Sequence, residues 1–290
     1  MTSSQAELPL RLAAVFKNAC LSELEALKPG NVHIFSDGHG MVVQDFVRSA
    51  EAAAEEIARL DLTVGQRILN AVGATWKTVG CNTNLGIVLL CAPLIHAVLH
   101  GTGRTLRERL AEVLKTLTVA DAELAFQAIL QASPAGLGKS EHHDVHDVPQ
   151  VSLLQAMSAA SARDRIAMQY ANGYEDVFAG AEIYRASLHR WGWTAWATTA
   201  VYLRFLANIS DSHLIRKYGE EVALQVRSEA VEHERNLLMQ ENPKKYQRPL
   251  LDFDRDLKAR GLNPGTSADL TVASLLVVEL ENMVTDFVSS

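Results

Sequence analysis

Polar residues that could bind a nucleotide gather in short loops at the ends of apolar segments. One such loop, residues 79–86 (VGCNTNLG), leads directly into the apolar segment 87–99. Its glycines allow tight backbone geometry, and its Asn and Thr side chains can cap the helix that follows. Free N–H groups at a helix N-terminus also favour an anion such as phosphate. Two interpretations therefore stay open, a plain helix cap and a phosphate site built from Asn82, Thr83, Asn84 and Gly86.

A second polar loop, residues 28–40 (KPGNVHIFSDGHG), follows the first predicted helix and carries Lys28, Asn31, His33, Asp37 and His39. Titratable loops on a helical scaffold are common places for chemistry. At about 100° per residue, Glu23 lies on the same helix side as Phe16 and Leu27 and should face inward. Its carboxylate is either a residue at the margin of the core or a ligand for a metal or substrate.

Two later segments place charges close to helix ends. Residues 211–219 (DSHLIRKYG) put an acid, a histidine and two bases within two turns. Residues 263–280 open with a Pro-Gly turn, and Asp269 falls in the first helical turn, where it can simply complement the helix dipole. A third polar loop, 133–150, holds His142, His143 and His146; adjacent histidines cannot easily face one ion, so a surface loop is favoured over a metal site.

The elements that must position these loops are all predicted to be helices. Apolar residues recur every three or four positions along most of the chain, and no run of five residues alternates as a strand would. Helices are predicted at 9–27, 42–60, 64–78, 85–100, 105–117, 118–132, 151–171, 174–191, 193–209 and 220–240. Thr118 and Asp121 form the pattern of a capping box. The fold class is therefore all-α, with one multi-helix domain over residues 1–290.

The composition excludes several classes of function. The net charge is −7, and no basic run could follow a nucleic-acid backbone. The three cysteines form no CxxC pair, which fits a reducing compartment. The N-terminus lacks a targeting pattern, and the longest apolar run, 85–99, is too short for a bilayer and contains Pro93. We expect a cytoplasmic protein with no nucleic-acid or membrane partner.

In order along the chain, these motifs resemble those of the triphosphoribosyl-dephospho-coenzyme A synthase family. Residues 28–32 (KPGNV) are similar to the family's Lys-Pro-Gly-x-Val loop, with Gly30 at its glycine, and residues 80–86 match a Gly-x-Asn-Thr-x-x-Gly loop. Residues 211–219 and 264–270 resemble two further family segments. The chain departs from the family pattern at His33, where an Asp is usual, and at Leu85, where a Lys is usual.

The resemblance implies an enzyme that takes ATP and dephospho-coenzyme A, transfers the 5-triphosphoribosyl group to the acceptor's ribose hydroxyl and releases adenine. Such chemistry needs support for an oxocarbenium-like sugar, proton transfer, and Mg²⁺ on the triphosphate. From the chemistry that this reaction needs, we assign the candidate residues to three roles: at the phosphates Lys28, Gly30, Asn31, Asn82, Thr83, Asn84, Gly86, Lys217 and Gly265; near magnesium Glu23, Asp211 and Asp269; in catalysis His39, His33 and Asp211.

Three alternatives remain open from the sequence. A family branch with a different nucleotide or cofactor-precursor acceptor would account for Leu85 and His33. A helical metal-dependent phosphohydrolase could be built on His39, the His143-Asp144 pair and Asp211. A non-catalytic helical scaffold would leave the loops without a role. The expected partners are ATP and its acceptor, and a homodimer is left open as the assembly.

Overall fold

The computed structural model describes residues 3–38, 40–133 and 143–289, and within these ranges the protein is helical. Only two isolated β-bridges occur there, both in the 33–41 loop. The all-α prediction is confirmed. The helices, numbered in chain order, are α1 (Ser3–Glu25), α2 (Val43–Ile57), α3 (Val64–Val79), α4 (Leu85–His100), α5 (Leu106–Thr116), α6 (Val119–Ala132), α7 (Leu153–Ala160), α8 (Arg165–Asn172), α9 (Glu175–Trp191), α10 (Thr194–Asn208), α11 (Ser212–Tyr218), α12 (Glu220–Leu238), α13 (Gln247–Ala259) and α14 (Gly265–Ser289).

Helix α4 lies at the centre of the larger hydrophobic core. Nearly all of its side chains are buried, on every side of the helix, as expected for a helix that is apolar all round. It packs against α14, α5 and α3, while α14 also packs against α9, α1 and α10. A second core forms between α10, α12 and α13. The N-termini of α4 and α14 are therefore fixed by buried helices.

Local sequence patterns set many of the helix starts. Four of the described helices begin with a capping box, in which the side chain of the N-cap residue accepts a hydrogen bond from the backbone N–H three residues later. The side chain of that later residue accepts one from the backbone N–H of the N-cap residue. The N-cap residues are Thr63, Thr105, Thr118 and Ser152. Such reciprocal caps satisfy N–H groups that have no partner inside the helix. The capping box predicted at Thr118 and Asp121 is confirmed.

The structure differs from the predicted helices in the segment 151–171 and in two helices that were not predicted, α11 and α13. The single helix predicted at 151–171 is split into α7 and α8, because Asp164 caps a new helix by accepting from Ile166 N and Ala167 N at 2.9 and 3.1 Å. Helix α13 was missed because its sequence is mostly charged. It is nevertheless amphipathic and buries Leu250, Phe253 and Leu257.

A helix that could serve as a membrane span, by length and hydropathy together, is not found in the described part of the chain.

Candidate functional site

A cavity of about 510 Å³ opens where residues from four loops meet. This volume lies in the range of small-molecule sites, about 300–1,000 Å³. The loops at 28–41, 80–86, 211–219 and 263–269 all contribute to its wall, as do residues of α7 and α8 and of the 143–145 segment. The lining contains polar side chains as well as apolar ones, among them Phe46, Leu89, Phe126 and Met157. Segments that are far apart in the sequence thus form one pocket.

The N-terminus of α4 forms part of the polar lining. Asn82 Oδ1 accepts a hydrogen bond from Leu85 N at 3.1 Å, Thr83 Oγ1 donates to Ser49 Oγ at 2.6 Å, and Asn84 Nδ2 donates to Thr75 Oγ1 at 2.9 Å. These side chains therefore hold the loop in shape. The first N–H groups of α4 have no acceptor within the helix, and this end of the helix favours negative charge.

Gly86 lets a carboxylate approach this helix end. A Cβ atom at Gly86 would lie 2.0 Å from Asp269 Oδ2, far closer than atoms can pack. Asp269 lines the cavity, and its carboxylate makes no hydrogen bond to the residues that the structure describes. Burial, followed by the negative charges of Asp211 and Glu23, raises the pKa of Asp269 well above its ordinary value. A glycine is thus required where α4 and α14 meet.

Glu23 is the second acid in the same wall. Its carboxylate pairs with Lys28, whose Nζ also donates to Asn31 Oδ1 at 3.0 Å. Burial raises the pKa of Glu23 although the Lys28 charge opposes it, and burial lowers the pKa of Lys28. Lys28 is 1% exposed and is not part of the cavity wall. It therefore stands behind Glu23 and Asn31 rather than in direct reach of a ligand.

Asn31 and Gly30 connect the first loop to the last. Asn31 lines the cavity and donates through Nδ2 to Asn263 Oδ1 at 2.8 Å. Gly30 adopts φ +84°, and a Cβ there would lie 2.9 Å from the Pro264 ring. Its N–H donates to Asp254 Oδ1 at 2.9 Å. Gly30 lies outside the wall but brings the two loops together.

His33 packs behind the same loop. It is completely buried, its Nδ1 accepts from Phe35 N at 3.3 Å, and its Nε2 lies 3.3 Å from Asp254 Oδ1. Burial lowers the pKa of His33 despite this carboxylate. Lys258 donates to Asp254 and to Ser36 O. This cluster fixes the 28–36 loop on α13, so the geometry gives no support to the predicted role of His33 in proton transfer.

Asp211 also serves the frame of the site. Its Oδ1 accepts from His213 N and Leu214 N at 2.9 and 3.2 Å, while its Oδ2 accepts from Ser267 N and Ser267 Oγ, both at 2.8 Å. The side chain is 1% exposed and absent from the cavity wall. Because both oxygens are occupied by donors, the geometry gives no support to the predicted roles of Asp211 at magnesium and in catalysis.

Some of the remaining predicted residues line the cavity, and others do not. Gly265 lines the cavity, and a Cβ there would lie 2.4 Å from His213 Nδ1. Lys217 is not in the wall; its Nζ lies 5.2 Å from the centre of the Tyr218 ring. His39 and His142 lie outside the described residues. His143 and Asp144 line the cavity, and Asp144 bonds to His146 Nδ1 at 2.6 Å.

Two arginines in the wall were missed as site residues. Arg163 lies in the turn before α8, and Arg216 on α11 pairs with Asp164 Oδ2. In the sequence, Arg163 lies in a charged part of the helix predicted at 151–171, where a surface ion pair is the usual interpretation. Arg216 is one of the two bases of the 211–219 segment, but it was not selected as a site residue. The signal that could have revealed them is Asp164, because a good N-cap inside a long helical pattern marks a break.

The wall does not contain a complete metal cage among the residues that the structure describes, since no group of three or more His, Cys, Asp or Glu side chains converges there. Magnesium in nucleotide sites is commonly held by one or two carboxylates together with phosphate oxygens. Glu23 and Asp269, two acids on one wall, match that smaller requirement.

Comparison with known proteins identifies a family and a solved structure that are similar to most of the chain. A family model described as CitG, ATP:dephospho-CoA triphosphoribosyl transferase, matches residues 9–286. A crystal structure from Archaeoglobus fulgidus, of a protein assigned as a triphosphoribosyl-dephospho-CoA synthase, superposes with a TM-score of 0.63. It has 22% sequence identity, and the match covers 80% of this chain and 97% of that one. At this identity the likeness concerns the fold. None of the curated protein sequences matches the chain significantly.

Proposed function

The chain belongs to the ATP:dephospho-CoA triphosphoribosyl transferase family, and we propose that the cavity between its four loops is where ATP and dephospho-coenzyme A react. The family match spans nearly the whole chain, so the protein is a transferase of this class. The observation that supports the location is the meeting of the 28–41, 80–86, 211–219 and 263–269 loops at one cavity. The phosphohydrolase alternative is not favoured by the family match.

The polar and the apolar lining residues suit different parts of the substrates. Phosphates fit the polar lining, where the first N–H groups of α4 and the positive end of its dipole favour anions. The apolar lining formed by Phe46, Leu89, Phe126 and Met157 suits an adenine ring or the extended arm of the acceptor. In this proposal Asn82, Thr83 and Asn84 shape the phosphate loop, and Gly86 and Gly265 keep space for close approach.

Glu23 and Asp269 are the residues that would hold magnesium. They fit because both line the cavity and Asp269 has no hydrogen-bonding partner in the described part of the chain. Bound there with the triphosphate, the ion would neutralise part of its charge. The carboxylates also place negative charge where the ribose becomes oxocarbenium-like, which stabilises that state electrostatically.

The frame residues keep this arrangement in place. Lys28 fixes Glu23 and Asn31, Asp211 fixes the start of α14 through Ser267, and Asp254 fixes Gly30. Buried hydrogen bonds to charged groups make such supports rigid. His39 stays the sequence-based candidate for proton transfer. A cytoplasmic location and a homodimer also stay predictions.

The reaction is tested by incubating the protein with ATP, Mg²⁺ and dephospho-coenzyme A and separating the products. We expect free adenine and a coupled product in equal amounts, with none when the acceptor is omitted. Other nucleotide acceptors serve as the comparison, because the departures at His33 and Leu85 allow a different acceptor. ADP in place of adenine would reject the transferase mechanism, and adenine release with another acceptor only would reject dephospho-coenzyme A.

A further inference from the structure

The cavity that would hold the triphosphate is lined by acidic side chains but not by the lysines predicted to bind phosphate. Four acidic residues of the described chain line the cavity: Glu23, Asp144, Asp164 and Asp269. Lys28 offsets the charge of Glu23 by pairing with it but does not line the cavity, and Lys217 also lies outside the wall. A polyanion in such a site needs cationic side chains that reach it directly.

Arg216 has hydrogen-bonding capacity that its protein contacts leave unused. One terminal nitrogen of its guanidinium pairs with Asp164 Oδ2. Its Nε is buried and has no hydrogen-bond partner among the described residues. The residue also lines the cavity, and its second terminal nitrogen makes no hydrogen bond to the described residues, so this nitrogen is left to bind a ligand oxygen there.

Arg163 is the neighbouring cation. It is exposed, it lines the cavity, and its guanidinium makes no ion pair or hydrogen bond to the part of the chain that the structure describes. It immediately precedes Asp164, whose Oδ1 starts α8 by accepting from Ile166 N and Ala167 N. Asp164 therefore ties the two arginines to one place, holding Arg216 by its side chain and Arg163 by the backbone.

We propose that Arg163 and Arg216 bind the triphosphate of ATP from the side of the cavity formed by α8 and α11, with Asp164 as the residue that positions them. This proposal rests on the proposed function, because it names the residues that bind the triphosphate of ATP in that same cavity. Planar guanidinium groups bind phosphate oxygens through two parallel hydrogen bonds, which suits both strength and orientation. Both arginines come from segments outside the α4 loop, so the triphosphate would be held between them and that helix end.

Direct binding tests this without relying on turnover. Calorimetric titration of the purified protein with ATP and with inorganic triphosphate, each with Mg²⁺, measures the two affinities. Arg163→Gln and Arg216→Gln should each weaken both ligands at least tenfold, about 1.4 kcal/mol, while leaving adenosine binding unchanged. Arg104→Gln is the matched control, because Arg104 is an exposed arginine outside the cavity wall, and it should bind all three ligands as the unmodified protein does.

Steady-state adenine release then distinguishes an effect on ATP binding from an effect on the acceptor or on the catalytic step. The Gln variants should raise the KM for ATP at least tenfold and leave the KM for dephospho-coenzyme A nearly unchanged, and Arg163→Lys should recover part of the loss. Asp164→Asn still caps α8 but loses the charge pair, so a smaller rise in KM with an unchanged kcat is expected.

Several results would overturn the proposal. It fails if both Gln variants bind inorganic triphosphate as tightly as the control, whether or not the protein releases adenine. It also fails if ATP and adenosine weaken equally, since the arginines would then act on the fold or the base. Absence of adenine release in a protein whose triphosphate binding depends on both arginines would instead reject the proposed function alone. Melting temperatures identify any variant that fails to fold, for which Arg216→Lys replaces Arg216→Gln.

Discussion

Asp211→Asn tests whether Asp211 supports the fold through its hydrogen bonds or binds the ligand. The substitution keeps the size of the side chain, and the amide oxygen can still accept from His213 N and Leu214 N as an N-cap. The amide nitrogen would then face Ser267 N, which now donates to Asp211 Oδ2 at 2.8 Å. Two donors would meet, so the buried Ser267 N–H would lose its acceptor.

The size of the effect follows from these contacts. A hydrogen bond to a charged group contributes about 1.5–3 kcal/mol, and a buried donor without a partner costs about 1–3 kcal/mol. Because these two figures describe overlapping losses, we expect the free energy of unfolding to fall by about 2–4 kcal/mol. For 290 residues, an unfolding entropy of about 2.1 cal/mol/K per residue turns this into a drop in Tm of roughly 3–7 °C.

The assay combines thermal melting with ATP binding measured well below the Tm. ATP affinity should change by less than about threefold, under about 0.7 kcal/mol. Ser267→Ala is the control, since it removes the hydroxyl donor but keeps the backbone bond, and its loss should be nearer 1 kcal/mol. An Asp211→Asn protein that melts normally yet binds Mg²⁺-ATP tenfold more weakly would refute this structural role. Asp211 would then be a residue that binds the ligand.

The other predictions concern the cavity and the acid stability of the fold. Asp269→Asn should leave the Tm unchanged or raise it, because burial disfavours the ionised carboxylate and the amide carries no charge, while adenine release falls at least tenfold, about 1.4 kcal/mol in the barrier. Gly86→Ala should lower both Tm and adenine release, because its Cβ would lie 2.0 Å from Asp269 Oδ2. Burial, then the Arg67 charge, lowers the pKa of His96 to about 4, so unfolding takes up a proton between that pH and about 6.5. The contribution of His96 to stability should therefore be complete above about pH 6.5 and decline as the pH falls toward 4. His96 Nδ1 accepts a hydrogen bond from Arg67 Nε at 3.3 Å, and His96→Gln, which keeps an acceptor there, should flatten this decline in Tm.

Each of these has a contrary result. Normal turnover by Asp269→Asn would remove this carboxylate from the reaction, and the exposed Asp61→Asn is the matched control. Gly73→Ala is the control for Gly86→Ala, because a Cβ at Gly73 comes no closer than 3.8 Å to other atoms. Unchanged turnover in Gly86→Ala would contradict the close packing of α4 against Asp269. An equal decline in Tm with and without His96 would assign the acid sensitivity to other groups.

Local features of the chain could be predicted because they depend on neighbours in sequence. Helix periodicity and the capping box at Thr118 involve residues within four positions of one another, and the structure contains both. The failures were local as well. Asp164 competes with helix continuation by bonding the backbone of α8, and the apolar face of α13 was hidden among charges.

The tertiary structure alone decided which acids face the cavity. Asp211 and Asp269 both lie at helix starts within family-like motifs, and a magnesium role was predicted from the sequence for each. Packing of α11 on α14 brings Ser267 to Asp211 and fills its oxygens with donors, whereas the gap left by Gly86 leaves Asp269 on the cavity wall. The same holds for Arg163 and Arg216, which come from separate segments. Whether a polar group serves the frame or the ligand depends on donors and space supplied by distant residues, which no local pattern encodes.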